Sequence, residues 1–310
     1  MAFAALWLAG RAALLFGASW PPMLVAGIDV SFLVVLGALI GWPIFGTSSR
    51  RNMAFPLLVW MLAAANLVEH LQWAGMLEPN GTPRRTAILT LVVLIITFGG
   101  RILPLFTRGA LRRVRAAAGD QSPDPVRDRG PLDQATLVVS AALIPLSIFV
   151  DGPAMGVAFA FAAVLNLGRM YRWATLDTLH DPLLLILHVG YLWIPVAFTL
   201  SALSQIGVVP PTAALHALTA GVIGTFALGM MSRVMRGHTG RPLVAPRIMS
   251  AAYVLLTLAA LIRVFGPILW PAGLVSIWHA AGDLWGLAFL ILVVVDLPKA
   301  WAPRPDGKAG

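Results

Sequence analysis

The chain has six histidines and no cysteine. Without cysteine there can be no disulfide, thiolate haem ligation, iron–sulfur cluster or covalent c-type haem attachment. A metal could be held only by histidine, methionine, carboxylate or backbone oxygen. Four histidines, His70, His188, His216 and His279, fall in apolar stretches, where an ionisable group is costly and marks either a functional site or a hydrogen bond to a neighbouring helix. His70 stands four residues after Asn66 and three before Trp73, so all three share a helix face, with Glu69 a quarter-turn away. Such a histidine can ligate a metal or a haem iron, carry a proton, or reach out to interfacial water. His188 has Tyr191 one turn on, and His180, Asp181 and Pro182 mark the start of its helix, Asp181 as a cap and Pro182 in the first turn. His279 precedes Asp283 by four residues, a spacing at which a carboxylate can hold the second imidazole nitrogen. Asp29 is a further carboxylate in an apolar stretch, and the sequence assigns it no partner.

The stretch His216–Leu243, HALTAGVIGTFALGMMSRVMRGHTGRPL, is the most informative. At 100° per residue, His216, Ala220, Gly224, Ala227 and Met231 lie along one face, small in its middle, which suits close helix packing or a flat cofactor. Met230, Met231 and Met235 are soft sulfur donors suited to Cu(I), and equally the usual adaptable filler of helix interfaces. His238 would lie about 33 Å from His216 on a straight α-helix, so the two cannot share one iron. Arg233, Arg236 and Arg241 cluster around His238, with Thr239 and the backbone at Gly237 and Gly240. This set suits an anionic group such as a haem propionate, a phosphate or a lipid headgroup, or is a charged helix end and its turn.

The elements that carry these residues are membrane helices. Hydrophobic residues make up 59% of the 310 residues and charged residues 11%, and the mean hydropathy is +0.84. A soluble domain carries about 25% charged residues. Ten apolar segments follow one another, at approximately 2–18, 21–41, 54–74, 87–104, 133–150, 153–171, 182–204, 212–234, 247–266 and 271–295. Most reach the length of about 20 residues that a bilayer requires. The expected fold class is therefore all-α, a polytopic transmembrane helical bundle of about ten helices in contact with the lipid bilayer.

The net charge of +9 belongs to the connections. Of the 22 lysines and arginines, 18 fall after the even-numbered segments and in the C-terminal tail, Arg50, Arg51, Arg129 and Lys308 among them. Arg84, Arg85 and Arg263 lie on or near the other side, and Arg11 within the first segment. The positive-inside rule places the even loops and both termini in the cytoplasm, and explains the basic balance without nucleic acid. The N-terminus lacks the charged region and small-residue cleavage site of a signal peptide. One domain over 1–310 is expected, with sub-bundles 1–107 and 133–297 joined by a polar, Gly- and Pro-bearing linker at 108–132.

The GHTGRPL element, Gly237 to Leu243, closely resembles a signature of the NnrS family, bacterial integral-membrane proteins tied to nitric oxide tolerance and described as haem- and copper-containing. The resemblance extends to TFGGRILPLFTR at Thr97–Arg108, to ILHVGYLWIP within Pro182–Pro195, to Asn66–Leu71 and to LWLAGR at Trp7–Arg11 with its flanks. It implies a protein of the bacterial cytoplasmic membrane that binds haem and copper, responds to nitric oxide or nitrosative stress, and works with a redox partner protein. On that footing His70, His188, His216 and His238 are the candidate ligands and Arg241 the contact to an anionic group. Family members carry two further helices before LWLAGR, so this chain is expected to begin after them. Two other classes remain: a transporter, with Asp29, Glu69 and Asp283 lining its pathway, and a cofactor-free subunit of a respiratory or denitrification complex.

Overall fold

A computed structural model describes residues 2–46, 52–127, 130–305 and 307, so Arg50, Arg51, Arg129 and Lys308 lie outside the described residues. The helices in chain order are α1 (Ala2–Phe16), α2 (Pro22–Phe45), α3 (Ala54–Trp73), α4 (Thr82–Ala118), α5 (Pro131–Phe149), α6 (Pro153–Tyr171), α7 (Pro182–Gln205), α8 (Pro211–His216), α9 (Thr225–His238), α10 (Arg247–Leu269) and α11 (Leu274–Asp296). A π-helical stretch, Ala217–Gly224, joins α8 to α9 without a break. There is no strand among the described residues. Among the described residues nine of the helical runs are long and apolar enough to cross a membrane, and the first is a shorter apolar helix. Each of the ten apolar segments of the sequence is thereby accounted for.

Local chemistry sets the ends. Proline stands in the first turn of α2, α6, α7 and α8, where its missing N–H costs nothing. The Asp181 carboxylate accepts from the Leu184 amide at 3.1 Å, the cap expected of it. Gly240 closes α9 at φ +68°. Its N–H bonds to the Gly237 carbonyl and the Arg241 N–H reaches back to Arg236, a pattern that needs a left-handed residue. The second glycine of GHTG is thus a helix stop.

The chain divides into two compact units. The first comprises residues 1–94 and 144–149, and in it α1 packs on α2 and α2 on α3. The second comprises 95–143 and 150–310. There α7 is the core: α6 covers one side, the α8–α9 run the other, and α10 and α11 pack on each other and on that run. Tyr191, Phe198, Leu184, Leu187 and Ile194 of α7 are fully enclosed, with Trp173 beside them. Elsewhere large apolar side chains such as Trp42, Phe149, Val157 and Val164 stand exposed, as lipid contact requires. The division falls inside α4, and that helix continues through Ala118, so the first part of the stretch expected as a linker is helical. The rest of it is tied back: Arg108 Nε donates to Asp124 at 2.5 Å, and Arg115 donates to the carbonyls of Ser122 and Pro123.

Candidate functional site

In the first unit the polar groups converge on Asp29 of α2, which is buried. Arg11 of α1 donates to its Oδ1. Oδ2 lies 2.8 Å from Asn66 Nδ2, which donates to it, and 3.2 Å from His70 Nε2. Asn66 and His70 share the face of α3 that their spacing requires, and the Trp73 ring meets the His70 ring edge-on at 5.3 Å. His70 is buried. Gly10 is the contact point of α1 with α2: a Cβ there would stand 2.9 Å from Asp29 Oδ1 and 3.2 Å from its Cα. Three separate sequence elements, LWLAGR, Asp29 and N–x–x–x–H, therefore form one network. Glu69, a quarter-turn from His70, has one oxygen 3.3 Å from Arg84 Nε and its other oxygen buried without a hydrogen bond among the described residues.

In the second unit His188 of α7 is fully enclosed. Its Nε2 lies 2.9 Å from Thr107 Oγ1 and its Nδ1 lies 3.0 Å from Thr175 Oγ1. A hydroxyl has one proton. Thr107 gives its proton to the Leu103 carbonyl at 2.8 Å, so it accepts from His188 Nε2–H, and Nδ1 accepts from Thr175, for which it is a nearer acceptor than the Met170 carbonyl at 3.4 Å. Both ring nitrogens are thus occupied by the protein. His216, at the junction of α8 with the π-helical stretch, is half-buried and makes no hydrogen bond among the described residues. The nearby charge bearing on it is Arg263 of α10, whose guanidinium lies over the Trp278 ring at 5.4 Å.

The π-helical stretch changes one expectation. Hydrogen bonds close over one more residue per turn there, so the 100° register that aligned His216 with Ala220, Gly224, Ala227 and Met231 does not hold across 217–224. Gly221 instead accommodates the Trp193 indole, where a Cβ would fall 2.6 Å from its ring.

At the other end of α9 the arginines do not surround His238. Arg236 is buried, and its Nη2 donates to Asp296 at 2.9 Å. Ser232 donates to the same carboxylate at 2.7 Å, and Lys299 pairs with it. Arg233 lies on the face of Phe106, 3.8 Å from the ring centre. Arg241 shares one nitrogen between the carbonyls of Thr239 and Lys299, each at 3.3 Å. His238 itself is exposed, and Arg304 donates to its carbonyl at 2.7 Å. His180, His279 and Asp283 are exposed, and His279 and Asp283 do not bond to each other. No two histidines share a partner, and no three His, Asp or Glu groups converge on a metal-sized site among the described residues.

Sequence reasoning missed a buried ion pair beside His188. Arg169 of α6 is 3% exposed; its Nε donates to Asp133 at 2.6 Å and its Nη1 to the Ile96 carbonyl at 3.1 Å. The Tyr191 hydroxyl donates to Asn166 Oδ1 at 2.8 Å, and Asn166 in turn donates to Ser140. The guanidinium fills a slot opened by Gly100, where any Cβ would overlap it. The signal lay in the paired glycines Gly99–Gly100 and the lone acid at the start of α5, but which arginine answers them is decided across helices.

The family described as NnrS protein matches residues 1–304. Among curated proteins and solved structures there is no match. With membrane-spanning helices throughout and a match over that length, the chain belongs to the NnrS family.

Proposed function

We propose that the chain is a haem-binding protein of the bacterial cytoplasmic membrane that acts in the response to nitric oxide or nitrosative stress. The observation that carries this is the state of the histidine rings. His70 and His216 lie in transmembrane helices with a ring nitrogen that no described protein group occupies. An axial haem ligand needs one such nitrogen, so each fits the group. His188 fits less well, since a bond to iron would cost it a hydroxyl partner. Arg241, held among the described residues by two 3.3 Å contacts, can turn to an anionic group, with His238 exposed beside it. A copper centre with three His, Asp or Glu donors does not fit, because no such cluster exists among the described residues. Copper is left with the methionines of α9. A haem would supply a site for nitric oxide and for exchange of an electron with a redox partner protein. The 18 basic residues on one side support cytoplasmic termini.

The test is the reduced-minus-oxidised absorption spectrum of the protein purified in detergent. Haem bands are expected, shifted or lost in His70→Ala or His216→Ala. Bands unchanged in both variants would refute the ligand assignment. A colourless protein that does not take up added haemin would refute haem binding and favour the transporter or partner-subunit reading.

A further inference from the structure

Asp29 does more than neutralise a charge. Arg11 is permanently cationic and donates to Oδ1, which holds the carboxyl as an ionised, acceptor-only group. Both remaining contacts fall on Oδ2, from Asn66 Nδ2 at 2.8 Å and His70 Nε2 at 3.2 Å. A carboxylate oxygen has no proton to give, so the proton between Asp29 and His70 belongs to Nε2. In a neutral ring the lone pair is then on Nδ1. Nδ1 makes no hydrogen bond among the described residues, and it is not sealed inside the protein.

We propose that Asp29 is the positioning residue of a ligand site at His70. It selects the Nε2–H tautomer and presents Nδ1 as the donor atom to an iron centre. This rests on the reading of His70 as a ligand given above. The support around Asp29 is arranged to the same end. Arg11 and Asn66 fix the two carboxylate oxygens from different helices. Gly10 lets α1 approach closely enough for Arg11 to reach, and Trp73 packs edge-on to the imidazole. A carboxylate on the far nitrogen also raises the basicity of the ligating one.

The test is a two-bond proton–nitrogen correlation spectrum of the detergent-solubilised full chain labelled with 15N-histidine, without added haemin. The His70 signals are identified by their loss in His70→Ala. The expected pattern is the Nε2–H tautomer in the wild type and in Asn66→Ala, which leaves the Asp29–His70 contact in place. Asp29→Asn is expected to mix the tautomers, to weaken haemin binding about 10- to 100-fold, and to raise the midpoint potential of bound haem. An Nδ1–H ring in the wild type overturns the proposal, whatever haem does. An Nε2–H ring together with a haem spectrum indifferent to His70→Ala overturns it by removing the ligand reading on which it rests. If Asp29→Asn does not fold, the wild-type tautomer and the His70→Ala spectrum still decide.

Discussion

Replacing Gly100 with alanine adds one methyl group to α4 and should behave as the loss of an ion pair. The added Cβ would overlap the Arg169 guanidinium at three atoms, and Arg169 is locked on the other side by Asp133 and the Ile96 carbonyl. The guanidinium must leave. Overpacking of this kind costs about 1–3 kcal/mol. Stripping one partner from a buried pair costs about 3–5 kcal/mol, and here less, because Arg172 remains 3.6 Å from the Asp133 carboxylate. The two figures describe one displacement and are not added. Alanine returns about 1 kcal/mol through helix propensity, so a net loss of about 2–4 kcal/mol is expected. In detergent this should lower the melting temperature by on the order of 3–6 °C. Gly109→Ala on the same helix is the control, since its Cβ would meet only Arg113 at 3.8 Å. The cause is isolated by Arg169→Ala, which empties the slot: Gly100→Ala added to it should cost nothing further. A Gly100→Ala protein that melts with the Gly109→Ala control, or losses that add in the double variant, would refute the slot.

Three further outcomes follow from the same geometry. His188→Ala should cost about 2–4 kcal/mol through a cavity and two displaced hydroxyls, read by thermal unfolding, while haem bands stay unchanged; lost bands at unchanged stability would make it a ligand instead. Gly240→Ala forces a Cβ into the left-handed region at φ +68° and should loosen the end of α9 by about 1 kcal/mol, seen as faster amide exchange at Arg241, where Gly237→Ala should not. Partial burial of Asp124 opposes its ionisation, but the Val126 amide and the guanidinia of Arg108 and Arg112 outweigh it and hold its carboxyl below the usual value of 3.8. A lowered folded-state value means that its contribution is full above the unfolded value and is lost as pH falls through the lower one. Exchange at Val126, corrected for intrinsic rate, should therefore quicken only below about pH 4, and Asp124→Asn should show the fast rate at neutral pH.

What the sequence made legible was whatever repeats at the level of a single helix. Ten apolar runs, the cap at Asp181, and the shared face of Asn66 and His70 all follow from periodicity and local chemistry, and each stands in the structure. Contacts between helices were not legible, because spacing along one helix says nothing of the rotation of its neighbour. Asp29 therefore had no visible partner in the sequence, although Arg11 and His70 both reach it. Arg169 read as one more cytoplasmic charge, although it is buried against Asp133. The π-helical turn over Ala217–Gly224 was hidden for a different reason. It packs the Trp193 indole against Gly221, a contact with another helix, and glycine, alanine and valine are as compatible with the ordinary helix.

The same contrast separates the histidines by chemistry, where their common apolar setting could not. A histidine in a membrane helix must satisfy two nitrogens without water. His188 does so entirely with the protein, one hydroxyl to each nitrogen, and its donor and acceptor roles are dictated by where those hydroxyls send their own protons. His70 is satisfied on one side only, by a carboxylate already committed to Arg11 and Asn66. Its other nitrogen makes no hydrogen bond among the described residues and is not sealed inside the protein. Water could meet that nitrogen, but water would not need a carboxylate that dictates which nitrogen is left bare. A metal would, because only the lone-pair nitrogen can bind it. The asymmetry at Asp29 is thus the feature that a structural histidine such as His188 lacks, and it makes His70 the ring whose spectrum and tautomer carry the most weight.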